Sequence, residues 1–168
     1  GSIGNLSALA VARDQAPGRR VVVVADTAHA SIDNALHILG LDALEVPTGP
    51  DCRLTGDAIR ATVGDRRDIA VVVAAGGSTN AGVVDDLAGC ADAAEELNAW
   101  FHVDGAFGLW ARACPDRAHL GEGLELADSW GVDGHKWLQT PHDSAYAIVR
   151  NAEAHRRAML IAASYLPE

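Results

Sequence analysis

A lysine and an aspartate about thirty residues apart are the residues of this sequence best suited to chemistry. Lys136 lies in Asp133-Gly134-His135-Lys136-Trp137, and Asp104 lies in His102-Val103-Asp104-Gly105-Ala106. A lysine amine is a poor nucleophile while it is protonated, but it can act by forming a Schiff base with an aldehyde cofactor. A carboxylate can hold the protonated nitrogen of a cationic ring, which then accepts electrons from an attached substrate. Together the two side chains predict covalent catalysis with an aldehyde-bearing heterocycle.

The composition indicates a globular protein without a nucleic-acid surface. The chain has 168 residues, 49% of them hydrophobic, and this length can bury a sizeable core. The formal charge of -10 argues against binding to nucleic acids or anionic membranes, because such binding needs clustered Lys and Arg. No apolar run approaches the roughly 20 residues that span a bilayer, and the first residues lack the pattern of a signal peptide. We therefore expect a soluble, cytoplasmic protein.

The cysteines and histidines do not predict a metal site. The three cysteines are odd in number and form no Cys-x-x-Cys pair, which argues against a disulfide framework or a zinc knuckle, so buried, inert thiols are expected at Cys52, Cys90 and Cys114. Four histidines without metal-ligand spacing are expected on helix faces, in the core or at the surface: His37, His102, His119 and His155.

The hydrophobic pattern predicts an α/β scaffold for these side chains. Short β-rich apolar runs alternate with longer segments of helical period, as in a parallel sheet covered by helices. The predicted strands are 20–25, 43–46, 69–74, 100–103, 129–132 and 144–149. The predicted helices are 6–13, 31–39, 55–63, 86–99 and 151–160, with Thr55 and Asp86 near helix N-termini. Residues 1–168 are expected to form one domain. Because the helical pattern at 6–13 has no strand before it, the chain is expected to be an interior piece of a longer protein. The domain is accordingly expected to be incomplete at both ends.

The chemically interesting residues follow the predicted strands. In open α/β sheets, ligands bind beyond the carboxyl ends of the strands, so residues at these ends should meet at one edge. The residues that follow the first, third, fourth and fifth strands are His29, Ser78 with Thr79, Asp104, and His135 with Lys136. Four strand ends therefore predict a single site.

The motifs in this order resemble those of the pyridoxal-phosphate-dependent amino acid decarboxylases of group II, which includes aromatic-amino-acid and glutamate decarboxylases. The resemblance covers almost the whole chain and rests on residues 1–6, 28–31, 77–82, 102–108, 127–130 and 135–137. It implies a mostly parallel sheet with helices on both faces, the large domain of the fold type I, aspartate aminotransferase-like enzymes. Two departures are the run 76–80, which replaces the more usual Gly-Thr-Thr type of run, and His142, where an aromatic residue is often found.

The resemblance also implies roles for the residues around the cofactor ring. Lys136 would form the internal aldimine with pyridoxal 5'-phosphate, and Asp104 would pair with the pyridine nitrogen. His29 would stack on one face of the ring and help to orient the substrate, while Ala106 would pack on the other face. The residue patterns alone also allow Asp104 and His29 to be helix caps.

Further residues would hold the rest of the cofactor. Backbone amides near Gly1 and Ser2, at the start of a helix, would bind the phosphate, with an additional contact from His135. Ser78 or Thr79 would hydrogen-bond the phenolic oxygen or the carboxylate side, and the sequence does not decide between them.

The reaction implied by the resemblance is decarboxylation of an L-amino acid to the amine and carbon dioxide. A homodimer is expected for the full-length form, with the proton donor and much of the substrate pocket outside this chain. Two alternative functions stay open. The protein could be an aminotransferase or a carbon-carbon lyase of the same fold, or the chain could be a catalytically incomplete cofactor-binding fragment. A dinucleotide-binding domain is disfavoured because no Gly-x-Gly-x-x-Gly follows the first strand. The sequence does not name the amino acid.

Overall fold

The computed structural model of the protein describes residues 1–160, in which six strands form one sheet. The strands are β1 (Val21–Ala25), β2 (Asp42–Val46), β3 (Ile69–Ala75), β4 (Trp100–Asp104), β5 (Ser129–Asp133) and β6 (Ala145–Val149). Their spatial order is β2-β1-β3-β4-β5-β6, and β1 to β5 are parallel whereas β6 is antiparallel to β5. The predicted mostly parallel sheet is confirmed. Residues 161–168 of the predicted domain lie outside the described residues.

The central strands are apolar throughout because helices cover both faces of the sheet. In β1, Val21 and Val23 pack into one hydrophobic cluster, while Val22 and Val24 pack into the cluster on the opposite face. Successive side chains of a strand point to opposite faces, so a strand buried on both sides shows no polar alternation. This is why β1 and β3 are runs of Val, Ile and Ala.

Five α-helices surround the sheet: α1 (Ser2–Gln15), α2 (Ala30–Leu39), α3 (Gly56–Val63), α4 (Leu87–Glu96) and α5 (Ala152–Met159). Side chains of α1 and α2 belong to one cluster, and side chains of α3 and α4 belong to the other. The predicted N-terminal residues act as caps: the side chains of Thr55 and Asp86 accept hydrogen bonds from the Ala58 and Gly89 amides at 3.2 Å. Such caps stabilise a helix by about 1 kcal/mol.

Two predicted helix boundaries were wrong. Helix α1 begins at Ser2, four residues before the predicted segment, so its first turn lies at the carboxyl-end edge of the sheet. Helix α4 ends at Glu96, since Asn98 adopts a left-handed backbone conformation with φ 49° that cannot continue a helix. Between β4 and β5 the chain forms three short 3₁₀ turns where no element was predicted, at Gly108–Ala113, Ala118–Gly121 and Leu124–Leu126.

The expectation of buried thiols was wrong for two of the three cysteines. Only Cys90 is a buried thiol; Cys52 is half-buried and Cys114 is exposed, because both lie in loops outside the two hydrophobic clusters. None of the helices within residues 1–160 combines the length and the hydropathy needed to cross a bilayer.

Candidate active site

A cleft of about 1050 Å³ opens at the carboxyl ends of the parallel strands. The structure brings together all nine residues that were predicted to contact a cofactor, and each lines this cleft: Gly1, Ser2, His29, Ser78, Thr79, Asp104, Ala106, His135 and Lys136. They come from α1 and from the segments at the ends of β1, β3, β4 and β5. The convergence expected from parallel strand ends is therefore present.

Lys136 lies in the turn directly after β5 and is the only lysine in the 168-residue sequence. Its Nζ lies 2.9 Å from Asp133 Oδ2 and 3.9 Å from the centre of the Phe107 ring. The Asp133 side chain is only 2% exposed. Burial acts to raise the pKa of Asp133, but contacts with the Gly1 nitrogen and with Lys136 outweigh it and hold the pKa below its usual value. The amine is thus held at the cleft by a buried carboxylate.

Asp104 is the last residue of β4 and presents its carboxylate to the cleft. Its Oδ1 accepts a hydrogen bond from the Ala106 amide at 3.1 Å, and its Oδ2 accepts one from Asn5 Nδ2 at 3.0 Å. Each carboxylate oxygen has two lone pairs, so one hydrogen bond apiece leaves room for a further donor. These two hydrogen bonds therefore fix the orientation of the Asp104 carboxylate, and its oxygens can still accept a hydrogen bond from a ligand.

His29 forms the N-cap of α2, so the cap expected from the residue pattern and the cleft position occur together. Its Nδ1 accepts a hydrogen bond from the Ser31 amide at 3.2 Å and lies 2.9 Å from Ser31 Oγ. Since the amide must donate, Nδ1 is the unprotonated nitrogen and Nε2 carries the proton. The cap therefore fixes both the orientation and the tautomer of the ring.

The N-terminal end of α1 lies at another side of the cleft. Gly1 is the N-cap and Ser2 the first helical residue, and the first turn contains no acidic residue that could occupy the helix amides. His135 lines the same cleft, with Nδ1 2.7 Å from the Ser144 carbonyl oxygen and Nε2 3.7 Å from Asp133 Oδ2. The Ser144 amide nitrogen also lies 3.2 Å from Nδ1, so both backbone groups of Ser144 hold this side of the ring and leave Nε2 on the side of Asp133.

The loop after β3 carries Ser78 and Thr79 and is anchored by a buried carboxylate. Asp85 accepts hydrogen bonds from the Ala75 amide at 2.6 Å and the Leu54 amide at 2.8 Å. Burial raises the pKa of Asp85 to about 6, although these two hydrogen bonds act in the opposite direction. Within the loop, Ser78 Oγ accepts from the Val83 amide at 3.3 Å, whereas Thr79 is exposed.

His142 also lines the cleft, next to His135. The two rings meet edge to face, with centroids 4.4 Å apart and an interplanar angle of 69°. Together with Asp143 they place three possible metal-ligand atoms within 4.8 Å of one another. The edge-to-face contact accounts for their proximity, and no metal role is assigned.

Comparison with known proteins identifies the family. The family model described as the pyridoxal-dependent decarboxylase conserved domain matches residues 7–168. The chain belongs to the pyridoxal-dependent decarboxylase family. The resemblance noted from the sequence is thereby confirmed, and pyridoxal phosphate is the cofactor of this family.

Individual decarboxylases agree with the family match. The chain is 32% identical to an aromatic-L-amino-acid decarboxylase of Bacillus atrophaeus, over 91% of the chain and 34% of that protein. It is also 32% identical to a probable L-tyrosine/L-aspartate decarboxylase of Methanopyrus kandleri, over 99% of the chain and 45% of that protein. The chain thus spans less than half the length of these relatives.

Solved structures agree with the fold. The structure of Oryza sativa TDC with PLP and tryptamine superposes with a TM-score of 0.88 at 30% identity, over 99% of this chain and 38% of that one. Mouse CSAD, at 23% identity, superposes with a TM-score of 0.89 over 100% of this chain and 39% of its own. The latter likeness concerns the fold alone, and both confirm the fold type I architecture of the decarboxylase domain.

The residues of the decarboxylase cleft fit the family's cofactor. An amine, a carboxylate with spare acceptor capacity and a helix N-terminus without its own acidic residue match an aldehyde, a ring nitrogen and a phosphate, respectively. The Asp133 carboxylate adds a negative charge near the Gly1 nitrogen, and Lys136 lies close enough to offset it. The donor set is therefore chemically complementary to pyridoxal phosphate.

Three residues of the decarboxylase domain that shape the site were not predicted from the sequence: Asn5, Asp85 and Asp133. Asn5 and Asp133 each had a local signal. Asn5 is a polar residue on the buried face of α1, and Asp133 precedes Lys136 by three residues, a spacing that brings side chains together in a turn. The signal for Asp85 is weaker. It is one of two adjacent acidic residues before α4, and the other, Asp86, is the N-cap of that helix.

Proposed function

We propose that the full-length protein decarboxylates an L-amino acid to the amine and carbon dioxide with pyridoxal 5'-phosphate as its cofactor. One observation carries this proposal: Lys136, Asp104 and His29 lie at the ends of three different strands and line one cleft in a chain of the pyridoxal-dependent decarboxylase family. Scattered polar residues would have no reason to gather at one edge of the sheet. When bound, the cofactor accepts electrons from the substrate α-carbon as carbon dioxide leaves.

We assign the ring end of the cofactor to Lys136, Asp104, His29 and Ala106. The Lys136 amine attaches the aldehyde carbon, and the Asp104 carboxylate accepts a hydrogen bond from the protonated ring nitrogen. His29 stacks on one ring face, and the small side chain of Ala106 leaves room on the other. The hydrogen bonds from Asn5 and Ala106 hold Asp104 in place before any ligand binds. Preorganised electrostatic groups of this kind contribute several kcal/mol in other sites.

The phosphate end is assigned to the first turn of α1. The amides near Gly1 and Ser2 offer donors and the positive end of a helix dipole. His135 contributes Nε2, with its other nitrogen bound to the Ser144 carbonyl. A hydroxyl of Ser78 or Thr79 contacts the oxygen substituent of the ring.

Asp133 holds the Lys136 side chain before the cofactor is attached. The Lys136 Nζ atom lies 2.9 Å from Asp133 Oδ2, and this ion pair fixes the amine at the cleft. Attachment of the cofactor therefore requires Lys136 to leave this ion pair. The Phe107 ring, 3.9 Å from Nζ, shields one side of the amine from water.

Reductive labelling tests the assignment of Lys136. The full-length protein is incubated with pyridoxal phosphate, the Schiff base is reduced with borohydride, and the labelled peptide is located by mass spectrometry. We expect the label on Lys136 and its loss in Lys136→Ala. Lys136→Arg is the matched control, because it keeps a positive charge near Asp133 but lacks the amine. Labelling of another lysine in the wild type, with Lys136 unlabelled, would contradict the assignment.

The reaction itself is tested by products. Carbon dioxide release from a panel of L-amino acids, measured beside amino-group transfer to a keto acid, separates a decarboxylase from an aminotransferase. We expect carbon dioxide and amine in equal amounts. Transfer without carbon dioxide would overturn the proposed reaction while leaving the cofactor assignment intact.

Domain organisation and assembly complete the proposal. We infer that residues 1–168 form a single cofactor-binding domain, because the helices and strands share clusters on both faces of one sheet. We also infer a homodimer for the full-length protein. Exposed apolar side chains on β6 and in the turn after β5 support an interface there: Tyr146, Ile148, Trp137 and Leu138. The cytoplasmic location and the absence of membrane binding stay predictions.

A further inference from the structure

A continuous chain of hydrogen bonds runs beneath the cleft from Trp100 to Asp104. Trp100 Nε1 lies 2.8 Å from Ser129 Oγ, which lies 2.9 Å from His102 Nδ1. His102 Nε2 lies 3.2 Å from Asn5 Oδ1, and Asn5 Nδ2 lies 3.0 Å from Asp104 Oδ2. Ser129 and His102 are fully buried and Asn5 is 2% exposed, so water does not compete for these bonds.

The charge on Asp104 fixes the direction of every bond in this chain. A carboxylate only accepts, so Asn5 must turn its NH₂ group toward Asp104 and its oxygen toward His102. His102 must then carry its proton on Nε2, which leaves Nδ1 to accept from the Ser129 hydroxyl. Trp100 can only donate, and it donates to Ser129. Burial lowers the pKa of His102 to about 4, which agrees with the neutral ring that this direction requires.

A branch of the same chain reaches His29. The second N–H of Asn5 points to Ser31 Oγ at 3.4 Å, and Ser31 Oγ lies 2.9 Å from His29 Nδ1. Since Ser31 accepts from Asn5, its own proton is free to bond His29 Nδ1. All three hydrogen-bonding groups of the Asn5 amide are therefore used, two of them toward residues of the proposed site.

The sheet is shaped to accept this amide. Gly131 lies within β5, where a residue without a side chain weakens a strand. A β-carbon on Gly131 would overlap Asn5 Oδ1, so the glycine provides the space in which the amide sits. This complementarity involves elements far apart in sequence, which indicates that the buried amide is an integral part of the packing.

We propose that Asn5 is a positioning residue that orients Asp104 and His29 together, through one directional hydrogen-bond chain that begins at the Trp100 indole. This inference rests on the proposed function, since it concerns the two side chains assigned to the cofactor ring. Asn5 touches neither the cofactor nor the substrate in this role. It acts by orienting the Asp104 carboxylate and by directing the Ser31 hydroxyl toward His29 Nδ1, which adds a second hydrogen bond to the one that the Ser31 amide makes.

Asn5→Asp is the sharpest test because it keeps the shape of the side chain and replaces its NH₂ donor by an acceptor oxygen. The substituted carboxyl group lies so close to Asp104 that the two share one proton, so Asp104 loses part of its negative charge, and position 5 can no longer donate to Ser31. In the full-length protein we expect pyridoxal phosphate to bind about tenfold more weakly, as when a hydrogen bond to a charged group is lost. The absorbance maximum of the bound cofactor should also shift, because the Ser31 hydroxyl can then donate to position 5 and no longer to His29 Nδ1. Asn34→Asp, the same substitution on the exposed face of α2, is the matched control and should change neither quantity.

Ser129→Ala tests the chain from its far side without a change of charge. It removes the donor to His102 Nδ1 while the residues that contact Asp104 stay in place. We expect about fivefold weaker cofactor binding, the effect of one neutral hydrogen bond, with an absorbance shift of the same sign as in Asn5→Asp. This variant decides the question if Asn5→Asp does not fold, which thermal unfolding of the cofactor-free protein reveals.

The double variant Asn5→Asp with Asp104→Asn separates positioning from general disruption. It restores a donor and an acceptor between positions 5 and 104 in reversed order, so the thermal stability should return toward wild type. Cofactor affinity should stay at the level of Asp104→Asn alone. Additive losses of affinity, or wild-type affinity and absorbance in a folded Ser129→Ala protein, would overturn the inference. Wild-type affinity in Asp104→Asn would instead overturn the proposed function.

Discussion

Two aspartates at neighbouring strand ends line the same cleft and have different surroundings. Asp85, beyond β3, gives its oxygens to the Leu54 and Ala75 amides, at 2.8 and 2.6 Å. Asp104, at the end of β4, likewise accepts one hydrogen bond on each oxygen, from Asn5 Nδ2 and from the Ala106 amide. Asp85 is 5% exposed, whereas Asp104 is half-buried.

The difference shows what separates a structural carboxylate from one available to a ligand. Both residues are acidic and border the cleft, and burial shifts the pKa of Asp85 upward to about 6. A shifted pKa in a cleft is commonly taken to mark a functional group. Here the group with the shifted pKa is buried and anchors a loop, whereas Asp104 is half-buried, so the acceptor capacity that remains on its oxygens is open to the cleft.

The largest expected effect comes from removing the charge of Asp104. Asp104→Asn should weaken pyridoxal phosphate binding ten- to a hundredfold, because a hydrogen bond to a charged group contributes about 1.5–3 kcal/mol. The matched substitution Asp85→Asn should change the affinity by less than about threefold in the folded protein. Titration of the cofactor-free full-length protein with pyridoxal phosphate measures both. Equal losses of cofactor affinity in the two variants would show that Asp104 is no more important for cofactor binding than Asp85.

The free energy of unfolding should depend on pH through Asp85 and His102, which act in opposite directions. Asp85 has a folded pKa of about 6, above its ordinary value of 3.8, so the folded state binds more protons and stability falls as pH rises between these values. His102 has a folded pKa of about 4, below its ordinary value of 6.5, so stability rises over nearly the same range. The two contributions oppose each other between about pH 4 and pH 6, where the two ranges overlap.

Single variants should separate these opposed contributions. Across this range each group contributes about 2 kcal/mol, from 1.4 kcal/mol per proton and pH unit. Asp85→Asn should therefore make the unfolding free energy rise more steeply with pH than in the wild type, and His102→Gln should make it rise less or fall. Urea unfolding of the cofactor-free protein at several pH values tests this. Parallel curves for all three proteins would contradict the assigned shifts.

The sequence predicted the scaffold well because the strands carry a strong local signal. Each of the six strands lies within two residues of its predicted bounds, since β1 and β3 are valine-rich runs and the others are bounded by turn residues. Helix ends were less predictable where they depend on the backbone conformation of a single residue, as at Asn98 after the end of α4. The start of α1 was missed because Ser2, Gly4 and Asn5 are weak helix formers, and only tertiary contacts explain why they are helical.

The site residues that lie at strand ends or in sequence motifs were predicted from the sequence. All nine predicted residues line the cleft because parallel strands place their carboxyl ends at one edge. Asn5 and Asp85 were missed for a physical reason. Asn5 contacts Asp104 across 99 residues, and Asp85 binds amides on two separate segments, so no local pattern reveals their partners.

The smallest expected effect extends the comparison to the hydroxyls of Ser78 and Thr79. Ser78 Oγ already accepts from the Val83 amide, whereas Thr79 Oγ1 has no hydrogen-bond partner among residues 1–160. By the reasoning that separates Asp85 from Asp104, Thr79 is the hydroxyl free for the cofactor. Thr79→Ala should weaken cofactor binding about threefold with unchanged stability, and Ser78→Ala should lower the unfolding free energy by about 1 kcal/mol with little change in affinity. Thr79→Val, which replaces the hydroxyl by a methyl group, controls for side-chain volume. If Ser78→Ala alone weakens binding, spare hydrogen-bonding capacity is not what selects the ligand-binding residues of this loop.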